Sequence, residues 1–598
     1  MSSAAPSPDA VLAGPVGVVV DRELLSLDRP FTYDLAADLG ARVGSLVRVP
    51  FHRKLTHGWV VGPAQPLARM LPVRDVLSPV PQFDARGLAL LRWAAERYVA
   101  PLATLIARSV PPRVAGEEAS AGDPAPPAFP GAPPPALLPG YRGGADLLRA
   151  IADGAGRTLL VRPAPEEQIA IAIEAVGAAL AVGRSAIVVV PEAEPLPATA
   201  AALRATYGDA VALFLGGDRR ERYRMWLDVR AGRHAVVVGT RPAVWAPLSD
   251  VGLIYVAREG HPLHREERSP HAHVREIAAA RARLEGATCV LAALVPTLEA
   301  RALATAEVAP TTRRGAPVEL VRPGPEGRAP RLVRAVRETR RGFLFEPMRG
   351  YGVARVCRAC GAPATCGACR GLLRLERGRV ACAVCGADGR CAGCGATDFG
   401  IARGGVERVE EWARGLAAVP VVGAGEPLPH GDAVVVGGLE RLKDVGPVGA
   451  DLVGILSADG ALRRPGLGAR ERALVAWAEA AAWAAPTGRV VLQTDAPNDP
   501  AVQALVAGNP ERFARAELPR LEEAGFPAGY PVFRVEGTAE LEPSLAAVPH
   551  RTLLVTGSGD ATVCLVVIAP DAVAAFSTTA RELAGRGVVT RVEAEPHL

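Results

Sequence analysis

The alternation of apolar and polar residues divides the first part of the chain into segments of different periodicity. Residues 15–62 alternate around turn signals in the stretches GVVVDREL, PFTYDL, GSLVRVPF and HGWVVG, which predicts a small β-rich unit. Residues 84–110 carry helical periodicity in two stretches that break at Pro101. The segment 111–139 is rich in Pro, Ala and Gly, and we expect it to be a linker without a packed core.

From about residue 143 the pattern changes to short β-branched runs that alternate with Ala-rich helical stretches. The runs are SAIVVVPE, AVALFLG, HAVVVGT, VGLIYVA and ATCVLAAL, and later DAVVVGG, DLVGILSA and GRVVLQT. Continuous apolar strands that alternate with helices indicate parallel sheets covered on both faces. The chain is therefore expected to contain two α/β lobes, with a small α+β domain in the tail from about residue 515.

Eight of the ten cysteines lie in one window of 38 residues between these two lobes. They form four C-x-x-C pairs separated by gaps of five, twelve and five residues: Cys357/Cys360, Cys366/Cys369, Cys382/Cys385 and Cys391/Cys394. Each pair offers two thiolates to one tetrahedral ion, so the array predicts two structural Cys₄ zinc sites. The alternative is four disulfides, which would require an oxidising compartment that nothing in the sequence indicates.

The lengths of the gaps predict how the four pairs combine. A gap of five residues leaves little chain for two neighbouring pairs to fold over one ion, whereas the gap of twelve suits a hairpin. We therefore expect a nested arrangement, with Cys357, Cys360, Cys391 and Cys394 on the first zinc and Cys366, Cys369, Cys382 and Cys385 on the second.

Length and composition limit the class of protein. A chain of 598 residues is too long for a single core, and it contains no run of eighteen apolar residues that would span a membrane. The start of the chain lacks the basic region of a signal peptide, so we expect a cytoplasmic location and reduced thiols. The net charge of +5 permits nucleic-acid binding without requiring it.

Two α/β lobes suggest an NTPase, but the sequence contains no P-loop. That loop needs a Lys for the phosphates and a Ser or Thr for magnesium. Lys54 and Lys443 are the only lysines, and no GK[ST] motif occurs. Arg cannot be presumed to replace the P-loop Lys, because its planar guanidinium is bulkier than an ammonium group.

Three weaker patterns each allow two interpretations. The histidines of the stretch GHPLHREERSPHAHVRE could form a metal site or a polar surface loop, and we favour the loop; they are His261, His264, His271 and His273. The run RRERYRMW at 219–226 interleaves Arg with aromatic residues, as a nucleic-acid groove would, but a solvated amphipathic helix is the preferred interpretation. The turn His52-Arg53-Lys54 could contact a phosphate or be an ordinary solvated loop.

The cysteine array resembles the zinc-binding module of the PriA family of replication-restart helicases, also called primosomal protein N-prime. Arg349-Gly350-Tyr351 matches that family's RRGY stretch, and GTRPAVWAP (239–247) is similar to its GTRSALFAP. QTDAPNDPAVQAL is similar to its QTYNPEHPAIQA, and PFTYDL, GSLVRVPF and HGWVVG look like its N-terminal DNA-binding domain. The resemblance covers nearly the whole chain, loosely in the tail, and it implies the same nested pairing of the cysteines.

This resemblance implies a multidomain α/β protein with two RecA-like parallel-sheet lobes and a Cys-rich two-zinc module. The implied segments are an N-terminal β-rich DNA-binding domain (1–75), a winged-helix-like segment (76–112), the linker (113–142), lobe 1 (143–315), the start of lobe 2 (316–350), the zinc module (351–398), the rest of lobe 2 (399–512) and a C-terminal α+β domain (513–598).

The chain departs from the family pattern at the motifs that supply the groups for phosphate, magnesium and the transition state. VRPAPEEQ (161–168) stands where the family has GVTGSGKT, and Ala257-Arg258-Glu259-Gly260 stands where it has DEEH. AALVPTLEA replaces SATPSLES, while VGGLERL and AWAEAAAWA replace GTQM and QVAGRAGR, so the expected arginine finger is missing. We therefore expect a degenerate nucleotide site, marked by Arg162, Arg258 and Glu259, and no use of ATP.

The expected function is recognition of stalled or branched replication forks, without catalysis. The resemblance implies branched or single-stranded DNA as ligand, and a single-stranded DNA-binding protein and the replicative helicase or its loader as partners. Arg48, Arg53 and Lys54 are the expected DNA contacts, while Thr32, where the family has Asp, puts recognition of a 3′ end in question. One alternative is an active ATP-dependent 3′–5′ helicase with a divergent site; another is a zinc-ribbon protein adaptor that does not bind DNA.

Overall fold

The computed structural model divides the chain into two compact units. The structure describes residues 10–119, 121–122, 125–312, 315–324, 327–347, 353–362, 364–369, 371, 373–376, 379–382, 385–402, 405–442, 449–464, 466–558 and 560–596. Arg349-Gly350-Tyr351 and Lys443 lie outside the described residues. The first unit contains the chain up to Arg162, Ala170–Ala309 and Leu521–Pro596, and the second contains Pro163–Ile169 and Pro310–Arg520. No helix in the described part of the chain is both long and apolar enough to cross a membrane.

The first unit begins with a six-stranded sheet. Its strands are β1 (Gly14–Val20), β2 (Phe31–Leu35), β3 (Leu46–Phe51), β4 (Lys54–Pro63), β5 (Leu71–Pro72) and β6 (Asp75–Val76), in the order β5-β2-β1-β4-β3-β6. The alternation of the sequence sets its two faces: Val47 and Val49 are completely buried, and Arg48 between them lies on the other face. Residues 15–62 thus form the β-rich unit that their pattern predicts.

Helices follow this sheet. They are α1 (Ala85–Arg97), α2 (Leu102–Ser109) and the short α3 (Ala115–Glu118). Helix α1 starts at Asp84, whose Oδ1 accepts a hydrogen bond from the Gly87 N–H at 2.7 Å. The chain turns between α1 and α2 immediately before Pro101, as the break in helical periodicity predicts.

The segment that its composition marks as a linker is packed against the rest of the unit. The Glu118 carboxylate accepts hydrogen bonds from Arg113, from Ser78 at 2.6 Å and from Tyr223 at 2.7 Å. Farther along, Leu138 is completely buried in the core of the first lobe. These anchors are isolated residues in a Pro-rich context, so they leave no periodic signal in the sequence.

The first α/β lobe contains a seven-stranded parallel sheet. Its strands are β7 (Thr158–Val161), β8 (Ser185–Val189), β9 (Val211–Phe214), β10 (Val236–Gly239), β11 (Val251–Ala257), β12 (Thr288–Ala292) and β13 (Ala306–Val308). The helices are α4 (Gly144–Asp153), α5 (Gln168–Ala181), α6 (Ala198–Tyr207), α7 (Arg219–Arg230), α8 (Val274–Glu285) and α9 (Leu298–Leu303). The strand order is β13-β7-β12-β11-β8-β10-β9, and β11 is buried along its whole length.

The second unit combines a parallel sheet with a small antiparallel one. The parallel sheet contains β14 (Val318–Val321), β15 (Gly342–Phe345), β20 (Val421–Val422), β21 (Val434–Gly437), β22 (Ala450–Ile455) and β23 (Ala484–Gln493). The antiparallel sheet, which carries the cysteines, contains β16 (Val353–Cys357), β17 (Leu373–Glu376), β18 (Arg379–Cys382) and β19 (Phe399–Ala402). The helices are α10 (Pro330–Glu338), α11 (Val406–Arg414), α12 (Ala458–Leu462), α13 (Ala469–Ala481), α14 (Pro500–Ala507) and α15 (Pro510–Glu523), the last of which ends in the first unit.

The tail of the chain forms an antiparallel sheet covered by helices, within the first unit. Its elements are β24 (Val532–Thr538), α16 (Leu541–Leu545), β25 (Arg551–Ser558), β26 (Ala561–Val567), α17 (Val573–Gly585) and β27 (Val589–Ala594), with strand order β25-β26-β24-β27. Its core is continuous with that of α1, α2 and the first lobe. The multidomain α/β class, with two parallel sheets and an interposed Cys-rich module, is confirmed.

A buried histidine holds the loop that follows β11. The His264 side chain is completely buried, and its Nε2 lies 2.8 Å from the Ala257 carbonyl oxygen, to which the Nε2–H donates. Burial lowers the pKa of His264 to about 3, and the nearby charges of His261, Arg258 and Arg275 act in the same direction. This imidazole is therefore neutral in the folded protein at ordinary pH.

Replacement His264→Gln should remove one acid-sensitive contribution to stability. The unfolded imidazole takes up a proton near its ordinary pKa of about 6.5 while the folded one resists it. The contribution is therefore present above pH 6.5 and is lost as the pH falls toward 3, at about 1.4 kcal/mol per pH unit. Glutamine keeps the donor to Ala257 and does not titrate, so urea denaturation between about pH 7 and about pH 5 should show a shallower loss of stability.

The exposed His430, replaced by Gln, is the matched control for a change of histidine to glutamine outside the core. If His264→Gln and the wild-type protein lose stability in parallel on acidification, His264 does not carry this contribution.

Candidate functional site

The eight clustered cysteines form two groups of four thiols. One group is Cys357, Cys360, Cys391 and Cys394, the other is Cys366, Cys369, Cys382 and Cys385, and the sulfurs of each lie within 4.8 Å of one another. Sγ–Sγ distances of 3.5 and 3.6 Å occur in the first group and of 3.4 and 3.7 Å in the second. A disulfide requires about 2.05 Å, so these are free thiols in a nested arrangement.

Hairpin pairing and tight turns bring the thiols together. We call Cys366, Cys369, Cys382 and Cys385 the inner group and the other four cysteines the outer group. In the hairpin of β17 and β18, Leu373 pairs with Cys382, and this pairing brings Cys382 and Cys385 close to Cys366 and Cys369. Gly361, Gly386 and Gly395 each follow a C-x-x-C pair with a φ between +71° and +73°, a conformation that glycine adopts without strain. Each donates its N–H to the carbonyl of the first cysteine of its pair, which closes the turn.

Backbone amides point at the sulfurs and favour their ionised form. The Ala368 N–H lies 3.4 Å from Cys366 Sγ, and the Gly393 N–H lies 3.3 Å from Cys391 Sγ. Donation from the Cys394 and Gly393 amides lowers the pKa of the Cys391 thiol to about 7. Convergent thiols with amide donors are a donor set for soft metal ions, and the two groups could hold two such ions.

The N-terminal sheet carries a basic tip next to a row of aromatic rings. His52 and Arg53 form the two-residue turn between β3 and β4, with φ of +47° and +64°, and Lys54 follows on the exposed surface. Phe51 contacts the His52 ring edge-on at a centroid distance of 4.4 Å and the Phe31 ring at 5.1 Å. The tip thus presents cationic groups beside flat aromatic surfaces.

The flanking residues complete this surface, which we call the aromatic row (Phe31, Phe51 and His52). The Arg29 guanidinium lies 5.3 Å from the centre of the Phe31 ring. Arg48 is 42% exposed, and its Nη1 lies 3.4 Å from a carboxylate oxygen of Asp75, so part of its charge is offset. Arg48, Arg53 and Lys54 are recognisable in the sequence as basic residues beside predicted strands. The packing of Phe31 and Phe51 is not, because the two rings meet only in the folded sheet.

Arg162, at the position of the phosphate loop, is bound by a neighbouring carboxylate. It follows β7 directly, and its Nε donates to Glu307 Oε1 in the middle of the adjacent strand β13. Arg301 approaches the other oxygen of Glu307 at 3.8 Å. The Arg162 guanidinium is therefore already paired with a carboxylate of the same lobe.

Arg258 and Glu259 lie after β11, at the same carboxyl edge of the sheet, where β12 separates them from β7. Arg258 is 7% exposed, and its Nη1 lies 3.7 Å from Glu192 Oε2. The Glu259 carboxylate is completely buried and accepts from the Thr297 N–H at 2.6 Å and from the Thr297 hydroxyl at 3.0 Å. Burial raises the pKa of Glu259, and Arg275 at 3.6 Å opposes that shift.

The remaining sequence candidates do not converge on a ligand. Among the described residues, no group with metal-binding geometry includes a histidine. In α7, Arg220 pairs with Glu117, and Arg224 pairs with the same carboxylate at 2.7 Å. Tyr223 and Trp226 of the same helix are buried. This run of arginines and aromatics therefore anchors α3 to the first lobe.

Comparison with known proteins identifies relatives over most of the chain. A family model described as the 3′ DNA-binding domain (3′BD) of PriA matches residues 17–111. The chain is 30% identical to the probable replication restart protein PriA of Mycobacterium leprae, over 86% of each chain. It is also 30% identical to the probable replication restart protein PriA of Mycobacterium tuberculosis (strain CDC 1551), over 88% of each chain.

Among solved structures, the match to the Escherichia coli DEAH/RHA helicase HrpB spans 60% of this chain and 42% of the helicase chain, at 15% sequence identity and a TM-score of 0.32. A similarity at this TM-score is no basis for assigning a function.

Proposed function

Since the chain belongs to the PriA family of replication restart proteins, we propose that it binds branched or single-stranded DNA at stalled replication forks and helps to reassemble the replisome. We further propose that it does so without hydrolysing ATP or unwinding DNA. The observation that carries this proposal is the contrast between the two candidate surfaces. The N-terminal surface combines exposed cationic groups with partly buried aromatic rings, whereas Arg162 and Glu259 at the carboxyl edge of the first lobe are bound by partners within the lobe.

The aromatic row and the basic tip suit a single-stranded nucleic acid. Bases stack on flat aromatic side chains with little sequence preference, and phosphates bind nearby cations. Phe31 and Phe51 are only partly buried where they pack against the core of the sheet, and Arg53 and Lys54 project at the adjacent turn. Thr32, next to Phe31 on β2, carries no charge, so we propose that stacking rather than a carboxylate contact recognises the strand end.

Loss of ATP hydrolysis is supported by the contacts of the residues that replace the helicase motifs. Phosphoryl transfer needs cations for the phosphates and a carboxylate that holds magnesium. Arg162 forms an ion pair with Glu307, and the fully buried Glu259 accepts hydrogen bonds from Thr297. Pro163 and Pro165 also lack the N–H groups that a phosphate cradle needs.

The segment that replaces the arginine finger is part of an apolar core. In the stretch AWAEAAAWA, the side chains of Trp477 and Trp483 are buried, and Trp483 stacks on Phe343 at a centroid distance of 4.2 Å. No arginine occurs in this stretch. These contacts support a lobe that has been retained as a scaffold.

We propose zinc as the ion of both cysteine groups. A tetrahedral zinc lies about 2.3 Å from each sulfur, which separates the sulfurs by about 3.8 Å. Four Sγ–Sγ distances within the groups, 3.4–3.7 Å, are close to that value. With four thiolates on each ion, no open position remains for a substrate, so the module would be structural. Its rigid loops are the proposed contact for a single-stranded DNA-binding protein and for the replicative helicase or its loader.

Elemental analysis of purified protein should find two zinc ions per chain. Replacement Cys394→Ser should lose the outer ion and Cys385→Ser the inner ion, because each removes one of four ligands. Cys289→Ser, a buried thiol outside both groups, is the matched control and should retain both ions. A wild-type content below two, or equal loss in the control, would refute the assignment.

The triple replacement of Arg48, Arg53 and Lys54 by Ala should weaken DNA binding and reduce its salt dependence. Each lost phosphate contact should lower the slope of log K against log salt by about 0.7 for a single strand. Three exposed arginines of α15 provide a control with the same change in charge: Arg512, Arg515 and Arg520. Fluorescence anisotropy with forked and single-stranded DNA at several salt concentrations measures both quantities.

In the same assay, Phe51→Leu should lower affinity by about tenfold without changing the salt slope, since stacking is worth about 1–3 kcal/mol per base. Unchanged affinity and slope in the triple variant would exclude the basic tip as the DNA contact, and loss of binding in the α15 control would indicate another surface.

The wild-type protein should show no DNA-stimulated ATP hydrolysis and no fork unwinding. Protein free of contaminating helicase is needed, because trace activity would be misread. Turnover of about one per second that disappears in Arg162→Ala or Glu259→Gln would show a working divergent site and would favour the active-helicase alternative. Weak nucleotide binding without turnover would leave the proposal intact, because hydrolysis requires more than binding.

A further inference from the structure

The connection between α1 and α2 is held in a strained conformation. Val99 lies in this connection with a φ of +47° and is 3% exposed. A β-branched residue rarely adopts this left-handed conformation. Such strain persists only where surrounding contacts fix the backbone, so the contacts of this corner are informative.

One arginine of the C-terminal domain binds both sides of the connection between α1 and α2 (residues 98–101), which we call the corner. The Arg581 Nη2 in α17 donates to the carbonyl oxygens of Ala95 at 2.9 Å and of Ala100 at 3.0 Å. Its Nε donates to Asp28 Oδ2 at 2.8 Å, and Asp28 Oδ1 accepts from the N–H of Leu102, the first residue of α2, at 2.8 Å. The Asp28 side chain is only 6% exposed, so this is an enclosed joint.

The same joint reaches the aromatic row. Asp28 directly precedes Arg29, whose guanidinium lies 5.3 Å from the centre of the Phe31 ring. Asp28 therefore links two places: the strained corner, through Leu102, and the segment that leads into β2.

A second set of contacts fixes the end of α1. Arg97 lies 2.7 Å from a carboxylate oxygen of Glu276 in α8 and 3.0 Å from one of Glu595, just after β27. The Tyr98 hydroxyl donates to Glu276 at 2.6 Å. The end of α1 is thus tied to the first lobe and to the C-terminal domain together.

We propose that Arg581 and Asp28 are positioning residues for DNA recognition. They touch no DNA; they fix the corner and, through Asp28, the placement of Arg29 and Phe31 in the aromatic row. The C-terminal domain, about 550 residues distant along the chain, therefore sets the geometry of the N-terminal DNA surface. This inference rests on the proposed function for its binding readout but not for its structural one.

Hydrogen exchange measured by mass spectrometry tests the joint itself, in the full-length protein. Arg581→Met removes the guanidinium, so the amides of residues 95–102 should exchange about tenfold faster, as expected for a lost charged hydrogen bond. Arg586→Met is the matched control: it removes an exposed arginine at the end of the same helix and should leave this exchange unchanged. If Arg581→Met does not fold, Asp28→Asn breaks the same ion pair and keeps the acceptor for Leu102, and it should have the same effect.

DNA binding then distinguishes positioning from a merely structural role. Arg581→Met should lower affinity for single-stranded DNA by about tenfold with an unchanged salt slope, because the basic tip remains. In the Arg581→Met background, Phe51→Leu should cost less than it does in the wild type, since both disturb one stacking surface. Arg581→Lys, which can keep one contact, should be intermediate.

The outcomes separate the two proposals. If the wild-type protein binds no DNA but hydrogen exchange of residues 95–102 rises in Arg581→Met, the proposed function fails. The conclusion that Arg581 fixes the connection between α1 and α2 is then still supported. Unchanged exchange in both Arg581→Met and Asp28→Asn would overturn the inference, and so would additive losses with Phe51→Leu.

Discussion

Ion pairs and hydrogen bonds of arginine, formed between residues very distant in sequence, hold the first unit of this molecule together. Arg581 meets Asp28 across 553 positions of the chain, and Arg97 meets Glu595 across 498. A guanidinium carries five donors in a planar fork and can bind several acceptors at once, which an ammonium group does less well. The chain contains only two lysines, so nearly all of its cationic joints have this multidentate form. The N-terminal and C-terminal segments are thus joined by these arginine contacts, and they also share one hydrophobic core.

Arginine and carboxylate residues are also bound by partners at the carboxyl edge of the sheet in the first lobe. In open parallel sheets, ligands usually bind at the carboxyl ends of the strands, where loops and unpaired polar groups converge. Here Arg162 pairs with Glu307, and Glu259 is bound by Thr297. A buried charge without a partner is costly, so the pairing of these groups stabilises the lobe.

The parts of the structure that the sequence predicted are those whose signal is local. The spacing of the cysteines predicted the nested grouping that brings Cys357 to Cys394, because a gap of twelve residues suits a hairpin and a gap of five leaves little chain for one. The two parallel sheets and the β-rich start also follow from periodicity. The packing of Glu118 and the contact between Phe31 and Phe51 did not emerge, because each depends on a partner that the fold brings close. For the same reason, the run of arginines in α7 gave no sign that it would bind Glu117.

The nested order of the cysteines has a consequence for synthesis of the chain. The inner group is complete once Cys385 has left the ribosome, nine residues before Cys394 completes the outer group. The inner group also closes the shorter loop, which costs less chain entropy. With zinc in both groups, as proposed, the inner ion would bind first, and the hairpin of β17 and β18 would then bring the outer pairs together. The two groups would in that case assemble in a fixed order.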